Sequence, residues 1–220
     1  MLRETVDLYL NRTYTHSNKT KPVRKQKGNP KMSQATTLTA EQLQRVLEHC
    51  DRTRSAIRNR TIILTTHWSG MRVGEVAALR WSDVVALDGS IKSEVRLTAS
   101  QTKGRKPRTV LLPERLRDHL QLYVRSVGQR RATVPFFDTQ RSAGFTANTL
   151  THIINGIYRA AGIDGATSHS GRRTFITNLA ERGVSARVLM SLAGHQNLST
   201  TQRYIDIKPS MLRAAVELVA

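Results

Sequence analysis

Between Ser168 and Tyr204 the chain reads SHSGRRTFITNLAERGVSARVLMSLAGHQNLSTTQRY, with two histidines, two adjacent arginines and a late tyrosine. His169 and Arg172 stand three apart, a spacing that puts both on one face of a helix. With Ser168 as N-cap, both side chains would lie by the free N–H groups of the first turn, where an anion is favoured. Guanidinium is planar and grips oxyanions with two parallel N–H groups, so the anion that suits these residue types is a phosphate. Gly183 is expected to end this helix. Ser185 then opens a second, ARVLMSLAG, with Val188, Leu189 and Leu192 as its apolar stripe. Gly194 closes that helix and hands the chain to His195, and Ser199 is expected to cap a last short turn that carries Tyr204.

This stretch resembles the second catalytic box of the tyrosine recombinase (phage integrase) family. That box reads His-x-x-Arg, a Leu-Gly-His-like turn, and a tyrosine nine residues after that histidine. Here these are His169, Arg172, the Ala193-Gly194-His195 turn and Tyr204, with the nine-residue gap kept. Two positions depart from it: Gly171, where many members have leucine, and Arg173, where a histidine is common. A glycine near a helix start is expected to loosen it by about 1 kcal/mol. About a hundred residues upstream, SGMRVGEVAALRWSDV resembles the first box of the same family, matched at Gly70, Arg72, Glu75, Leu79, Trp81 and Asp83. Taken alone, that pattern also fits an ordinary helix with a surface Arg–Glu pair. Between the boxes, SQTKGRKPR places Lys103 on a basic turn; the family brings a lysine of such a hairpin into the active site, and Lys103 aligns with it, with Lys106 its nearest rival.

The resemblance implies a role for each group. Tyr204 would be the nucleophile, forming a 3′-phosphotyrosyl link and releasing a free 5′-hydroxyl. Arg72 and Arg172 would hold the non-bridging oxygens, Lys103 would protonate the leaving oxygen, His169 would serve the tyrosine proton, and His195 would hydrogen-bond the phosphate. Glu75 would orient these groups, unless it is only a helix salt bridge. Arg105, Lys106, Arg108, Arg173 and Arg203 are expected to contact DNA.

The chemistry fits such a set. Attack on a phosphodiester meets negative charge and a poor alkoxide leaving group, and many nucleases answer both with two metal ions. This sequence has no acidic cluster, no HExxH and no grouped Cys/His, and it offers cations instead, so neither a metal site nor a cofactor is expected. It has no GxSxG for a serine hydrolase and no GxxxxGK[ST] for an NTPase. A phenol has a pKa of about 10, so attack near neutral pH needs help in removing its proton. The resulting phosphotyrosine ester is close in energy to the phosphodiester it replaces. The broken bond can therefore be resealed without ATP.

The elements that must position these residues are read from periodicity and caps. At 220 residues and 39% hydrophobic content the chain can bury a sizeable core, and no run approaches 18 apolar residues. With 35 Lys+Arg against 16 Asp+Glu, the net charge of +19 points to a polyanionic partner, nucleic acid first. The single cysteine, Cys50, and a charged start unlike a signal peptide fit a reducing cytoplasm; the resemblance implies prokaryotic nucleoid, phage or plasmid association. Residues 1–37 read as a basic arm and linker containing one short amphipathic piece, LRETVDLYL. Thr39-Ala40-Glu41-Gln42 is a capping box; helices then follow over Arg54–Trp68 and from about Val73 to Arg80. Val84-Val85, Ile91–Leu97 and Arg108–Leu112 read as short antiparallel strands. Pro113 starts an amphipathic helix, VPFF is extended, and Thr146 caps the helix that carries His152.

The fold class expected is α+β: mainly α-helical, with a small antiparallel hairpin region, and by resemblance the tyrosine recombinase catalytic fold. It covers 38–208, with 209–220 as a C-terminal helix whose Leu212, Ala215, Val216 and Val219 share a face, exchanged between subunits or folded back on its own domain. Thirty-seven residues cannot supply the helical core-binding domain most members carry, so the chain is either a compact member or a fragment. The function expected is site-specific recombination (integrase, resolvase or invertase type) on double-stranded DNA, through a tetramer on paired sites, with accessory DNA-bending proteins possible and no membrane. The alternatives are a type IB topoisomerase-like enzyme and a catalytically idle DNA-binding protein.

Overall fold

The computed structural model describes residues 35–139, 144–205 and 209–217. The helix expected in LRETVDLYL and nearly all of the basic arm lie outside the described residues. The fold is mainly helical with one two-stranded antiparallel sheet, as expected.

Helix α1 (Ala40–Asp51) begins at the capping box, where Gln42 N–H donates to Thr39 Oγ1 (3.2 Å) and Thr39 N–H donates to Gln42 Oε1 (2.9 Å). Helix α2 (Ala56–Ser69) is the central strut and has no single apolar face: every residue from Thr61 to His67 is buried. Its hydroxyls make this tolerable. Thr61, Thr65 and Ser69 each donate to the carbonyl one turn back at 2.6–2.7 Å, so polar side chains sit in the core with their hydrogen bonds made.

The helix expected from Val73 is broken in two, α3 (Val73–Ala77) and α4 (Trp81–Val84). The extended VPFF segment takes over the hydrogen bonds between them. Trp81 N–H donates to the Val134 carbonyl (2.9 Å) and Phe136 N–H to the Leu79 carbonyl (2.8 Å). The exchange buries Trp81 with Phe136, Phe137 and Tyr123 as one aromatic cluster. Val84 thus belongs to a helix, and the strand expected at Val84-Val85 shrinks to a single Val85–Ile91 bridge. Strands β1 (Glu94–Leu97) and β2 (Arg108–Leu111) pair antiparallel, with Leu97 opposite Arg108.

Helix α5 (Glu114–Val127) follows Pro113 and packs Leu116, Leu120, Tyr123 and Val124 inward, against α2 among others. Helix α6 (Ala147–Ala160) is capped by Thr146 as expected and packs on α1 and α3. The site-bearing end then runs through α7 (Ser170–Glu181), α8 (Ala186–Ala193), α9 (Leu198–Gln202) and α10 (Pro209–Glu217).

Several local expectations need correction here. The cap position of α7 is His169, not Ser168, because the 167–170 turn is closed instead by Thr167 N–H on Ser170 Oγ (3.0 Å) and Ser170 N–H on the Thr167 carbonyl (2.8 Å). Asn197 holds the cap position of α9, with Ser199 inside the helix. Of the apolar stripe expected on α8, Leu189 is buried, Leu192 is half-buried and Val188 is 49% exposed. Helix α10 starts at Pro209, with Leu212 59% and Val216 69% exposed, and Val219 lies outside the described residues.

Gly171 has the opposite meaning to the one its helix propensity suggests. It is buried where α7 crosses α2, and a Cβ there would run into Thr66 Oγ1 and lie 2.8 Å from His67 Nδ1. The missing side chain lets the two helices approach.

Candidate active site

The site is assembled on the C-terminal end of α8. The last carbonyls of any α-helix lack intrahelical partners and carry the negative end of its dipole. Here three consecutive ones, at Leu192, Ala193 and Gly194, each accept from a different arginine. Arg108 Nη1 donates to Leu192 (3.0 Å), Arg172 Nη2 to Ala193 (2.6 Å) and Arg72 Nη2 to Gly194 (3.2 Å). These arginines come from β2, α7 and the start of α3, so one short turn ties three distant segments together. Gly194 holds φ +61°, the left-handed conformation glycine adopts most easily, and a Cβ there would meet Arg108 Cδ at 2.6 Å.

Behind the turn lies Glu75, 1% exposed. Arg72 reaches it through Nη1 (3.0 Å) and its own backbone N–H (2.8 Å), and Arg108 through Nε (3.2 Å) and Nη2 (2.7 Å). Burial alone would raise the pKa of this carboxyl, but the hydrogen bond and charge of Arg108, joined by those of Arg72, outweigh it and hold Glu75 below the usual carboxylate range. It is therefore ionised at neutral pH, and it fixes the planes of two guanidiniums. One carboxylate against three arginines leaves the site cationic.

Arg172, 4% exposed, also donates through Nη1 to the Gly70 carbonyl (2.5 Å). Burial and then the charge of Arg72 pull its pKa down, but it remains a cation at neutral pH. Two of its five N–H groups are held by carbonyls.

His195 follows the turn directly. Its Nδ1 lies 2.9 Å from Thr201 Oγ1, and its ring stacks on that of Tyr204 with centroids 5.6 Å apart and planes 22° apart. Burial, then Arg172, Arg72 and Arg108, push the His195 pKa down to about 4, so the ring is neutral near pH 7. Tyr204 is half-buried, with Arg173 on the ring at 5.6 Å and its backbone N–H donating to the Thr201 carbonyl (2.9 Å). His169 stands at the rim; its pKa is lowered by burial and then by Arg172, Lys103 and Arg72. Lys103 is exposed on the β1–β2 hairpin. It lines a cleft of about 500 Å³ together with Arg72, Lys106, Arg108, His195 and Gln196.

Arg72, Lys103, Glu75, His169, Arg172, His195 and Tyr204 thus converge from segments far apart in sequence. Among the expected DNA contacts, Arg105 and Lys106 are exposed on the hairpin and Arg203 is exposed at the end of α9. Arg173 lies against Tyr204. Arg108 does not fit that expectation: its guanidinium turns inward onto Glu75 and the α8 end, and its side chain is 11% exposed. The signal was in the sheet alternation. Arg108 and Val110 share a face of β2, and Val110 is a core residue. Thr201 was missed as well, and nothing in its residue type marks it.

A cationic cleft lined by an imidazole and an exposed lysine, with a phenol stacked on that imidazole and a second imidazole nearby, matches the demands of phosphodiester transfer. Comparison with known proteins agrees. A model described as the phage integrase family matches residues 36–211. The chain is 32% identical over 195 residues to the tyrosine recombinase XerA of Pyrococcus furiosus, covering 86% of this chain and 64% of that protein. It therefore spans just under two thirds of that relative's length. Among solved structures, the crystal structure of XerA recombinase superposes with TM-score 0.67 at 26% identity, over 83% of this chain and 63% of that one. The Tn1549 transposon integrase in complex with transposon right end DNA also gives 0.67, at 18% identity, over 86% and 68%; at that identity the likeness is one of fold.

Proposed function

The chain belongs to the phage integrase family, and from that premise we propose that it is the catalytic domain of a site-specific DNA recombinase working through a covalent 3′-phosphotyrosine intermediate. The observation that carries this reading is the placing of Tyr204 against His195, on the turn that Arg72 and Arg172 hold.

The Tyr204 phenol oxygen attacks the scissile phosphorus as its proton passes toward His169. The P–O5′ bond breaks, the phosphate becomes an ester of Tyr204, and the departing 5′-oxygen takes its proton from Lys103. Arg72 and Arg172 bind the non-bridging oxygens with the N–H groups that the carbonyls leave free, and His195 donates one hydrogen bond to the same phosphate. Because both guanidiniums are already oriented, little reorganisation is needed when charge builds on the phosphate. Attack by a 5′-hydroxyl from another strand reverses the sequence and reseals the DNA.

Double-stranded DNA is the partner, consistent with the net charge of +19. Residues 1–37 serve as a basic arm, and the exposed face of α10 packs into a neighbouring subunit of a tetramer on paired sites. Accessory DNA-bending proteins and a cytoplasmic, nucleoid-associated setting belong to the same reading.

The test uses a pool of nicked duplexes with a randomised core, labelled at either end of the nicked strand, incubated with the full chain. An SDS-resistant adduct keeping the 5′ label, and sequencing to a defined site, is expected. An adduct keeping only the 3′ label, or no adduct, overturns the reading. Relaxation of supercoils without strand exchange between two recovered sites would mark the enzyme as topoisomerase-like instead.

A further inference from the structure

The strongest unassigned contact in the site is the one behind His195. Thr201 is fully buried on α9, and its hydroxyl lies 2.9 Å from Nδ1 of His195. The helical hydroxyls of Thr61, Thr65, Ser69 and Thr174 turn back to the carbonyl four residues earlier. The Thr201 hydroxyl turns outward to an imidazole instead. The tautomer of a neutral imidazole is set by the hydrogen bond one of its nitrogens makes, and a hydroxyl can serve either way: it can accept from Nδ1–H or donate to a bare Nδ1.

We propose that Thr201 is a positioning residue, whose hydroxyl donates to Nδ1 of His195 and so leaves the single proton of that ring on Nε2, ready to be donated in the cleft. The direction follows from the surroundings. Burial, and then the charges of Arg172, Arg72 and Arg108, keep the ring neutral at about pH 7, so it has one proton to offer. The cationic cleft that His195 lines is built for an anion, and only an N–H can serve an anion there. A proton held on Nδ1 would present a lone pair to the same anion and repel it. The backbone helps hold the pair in place: Tyr204 N–H donates to the Thr201 carbonyl (2.9 Å), so the residue that sets the tautomer also anchors the residue stacked on it. Contrast His67, whose Nδ1 faces the Ile63 carbonyl (3.0 Å), an acceptor alone, and must therefore carry its proton on Nδ1. The two imidazoles are held in opposite tautomers by the partner each is given.

The inference rests on the recombinase reading for its purpose but not for its test. The full chain labelled with ¹⁵N-histidine is compared with Thr201→Val, which keeps the shape and removes the hydroxyl, and with Thr201→Ser, which keeps the hydroxyl. Long-range ¹H–¹⁵N correlation spectra read the His195 tautomer without DNA. The parent and the serine variant should show Nδ1 unprotonated, and the valine variant should shift population toward Nδ1–H. In single-turnover cleavage of a site recovered from the randomised pool, Thr201→Val should be slower by about tenfold or more, the scale for losing a partner that orients a histidine, with DNA affinity little changed. Thr201→Ser should recover most of the rate. A parent His195 with its proton on Nδ1, a valine variant with the parent's tautomer, or a serine variant as slow as valine overturns the proposal. If the parent cuts no DNA, the recombinase reading fails, and the spectra still decide the tautomer.

Discussion

The Arg72 and Arg172 guanidiniums are each held by the scaffold through two terminal nitrogens, which makes lysine a poor replacement at either position. A lysine keeps the charge but has a single nitrogen, and cannot reach both the Gly70 and Ala193 carbonyls as Arg172 does. Arg72→Lys and Arg172→Lys should each slow DNA cleavage by about 10²-fold or more, the scale for removing one preorganised transition-state donor, with much smaller changes in affinity. Single-turnover rates set beside binding isotherms check this; a loss under about threefold would place that arginine outside the chemistry. The residues that make these contacts were legible through the resemblance of two boxes a hundred residues apart, since the Arg72–Glu75 spacing alone fits an ordinary helix pair. Arg108 and Thr201 were not. An arginine beside a basic turn looks like a surface contact until the hairpin register turns it onto Glu75, and a threonine in a polar helix carries no mark until His195 is placed against it.

At the scale of elements, the α2–α7 contact decides where Arg172 points. Gly171→Ala gains about 1 kcal/mol of helix propensity but drives a methyl into Thr66 and His67. Overpacking of that kind costs about 1–3 kcal/mol, so the net is a loss of up to about 2 kcal/mol and the variant should melt no higher than the parent and cleave more slowly; a raised melting temperature would mean that the helices do not meet as described. The same contact makes stability depend on pH. Burial pushes the His67 pKa down to about 4 from an ordinary value near 6.5, so between these values the unfolded chain binds a proton that the folded one does not. This contribution is complete above about pH 6.5 and is lost as pH falls through the folded value, on the order of 3 kcal/mol in all. Urea midpoints between pH 4.5 and 7 should therefore fall with acidity, and His67→Gln should flatten that slope; a slope unchanged in the variant would contradict it. The helices themselves were legible from caps and periodicity. What was hidden was the split of α3 from α4, since it depends on hydrogen bonds to Val134 and Phe136 more than fifty residues away, which no local pattern records.

Taken whole, the chain is strongly cationic, and its last described helix exposes Leu212 and Val216. Removing residues 210–220 should leave binding to a single site intact but reduce assembly on paired sites and strand exchange. Sizing the protein–DNA complexes of the full chain and the truncation side by side checks this, and undiminished tetramers from the truncation would show that the helix serves its own domain. The central claim is narrower than assembly: one phenol oxygen, on Tyr204, makes and breaks the bond to DNA. It is tested most directly by presenting the nicked substrate pool to the parent chain and to Tyr204→Phe, then resolving both on a denaturing gel. The parent should give a covalent adduct and Tyr204→Phe none, although both bind the DNA alike; an adduct of undiminished yield with Tyr204→Phe would mean that another group is the nucleophile.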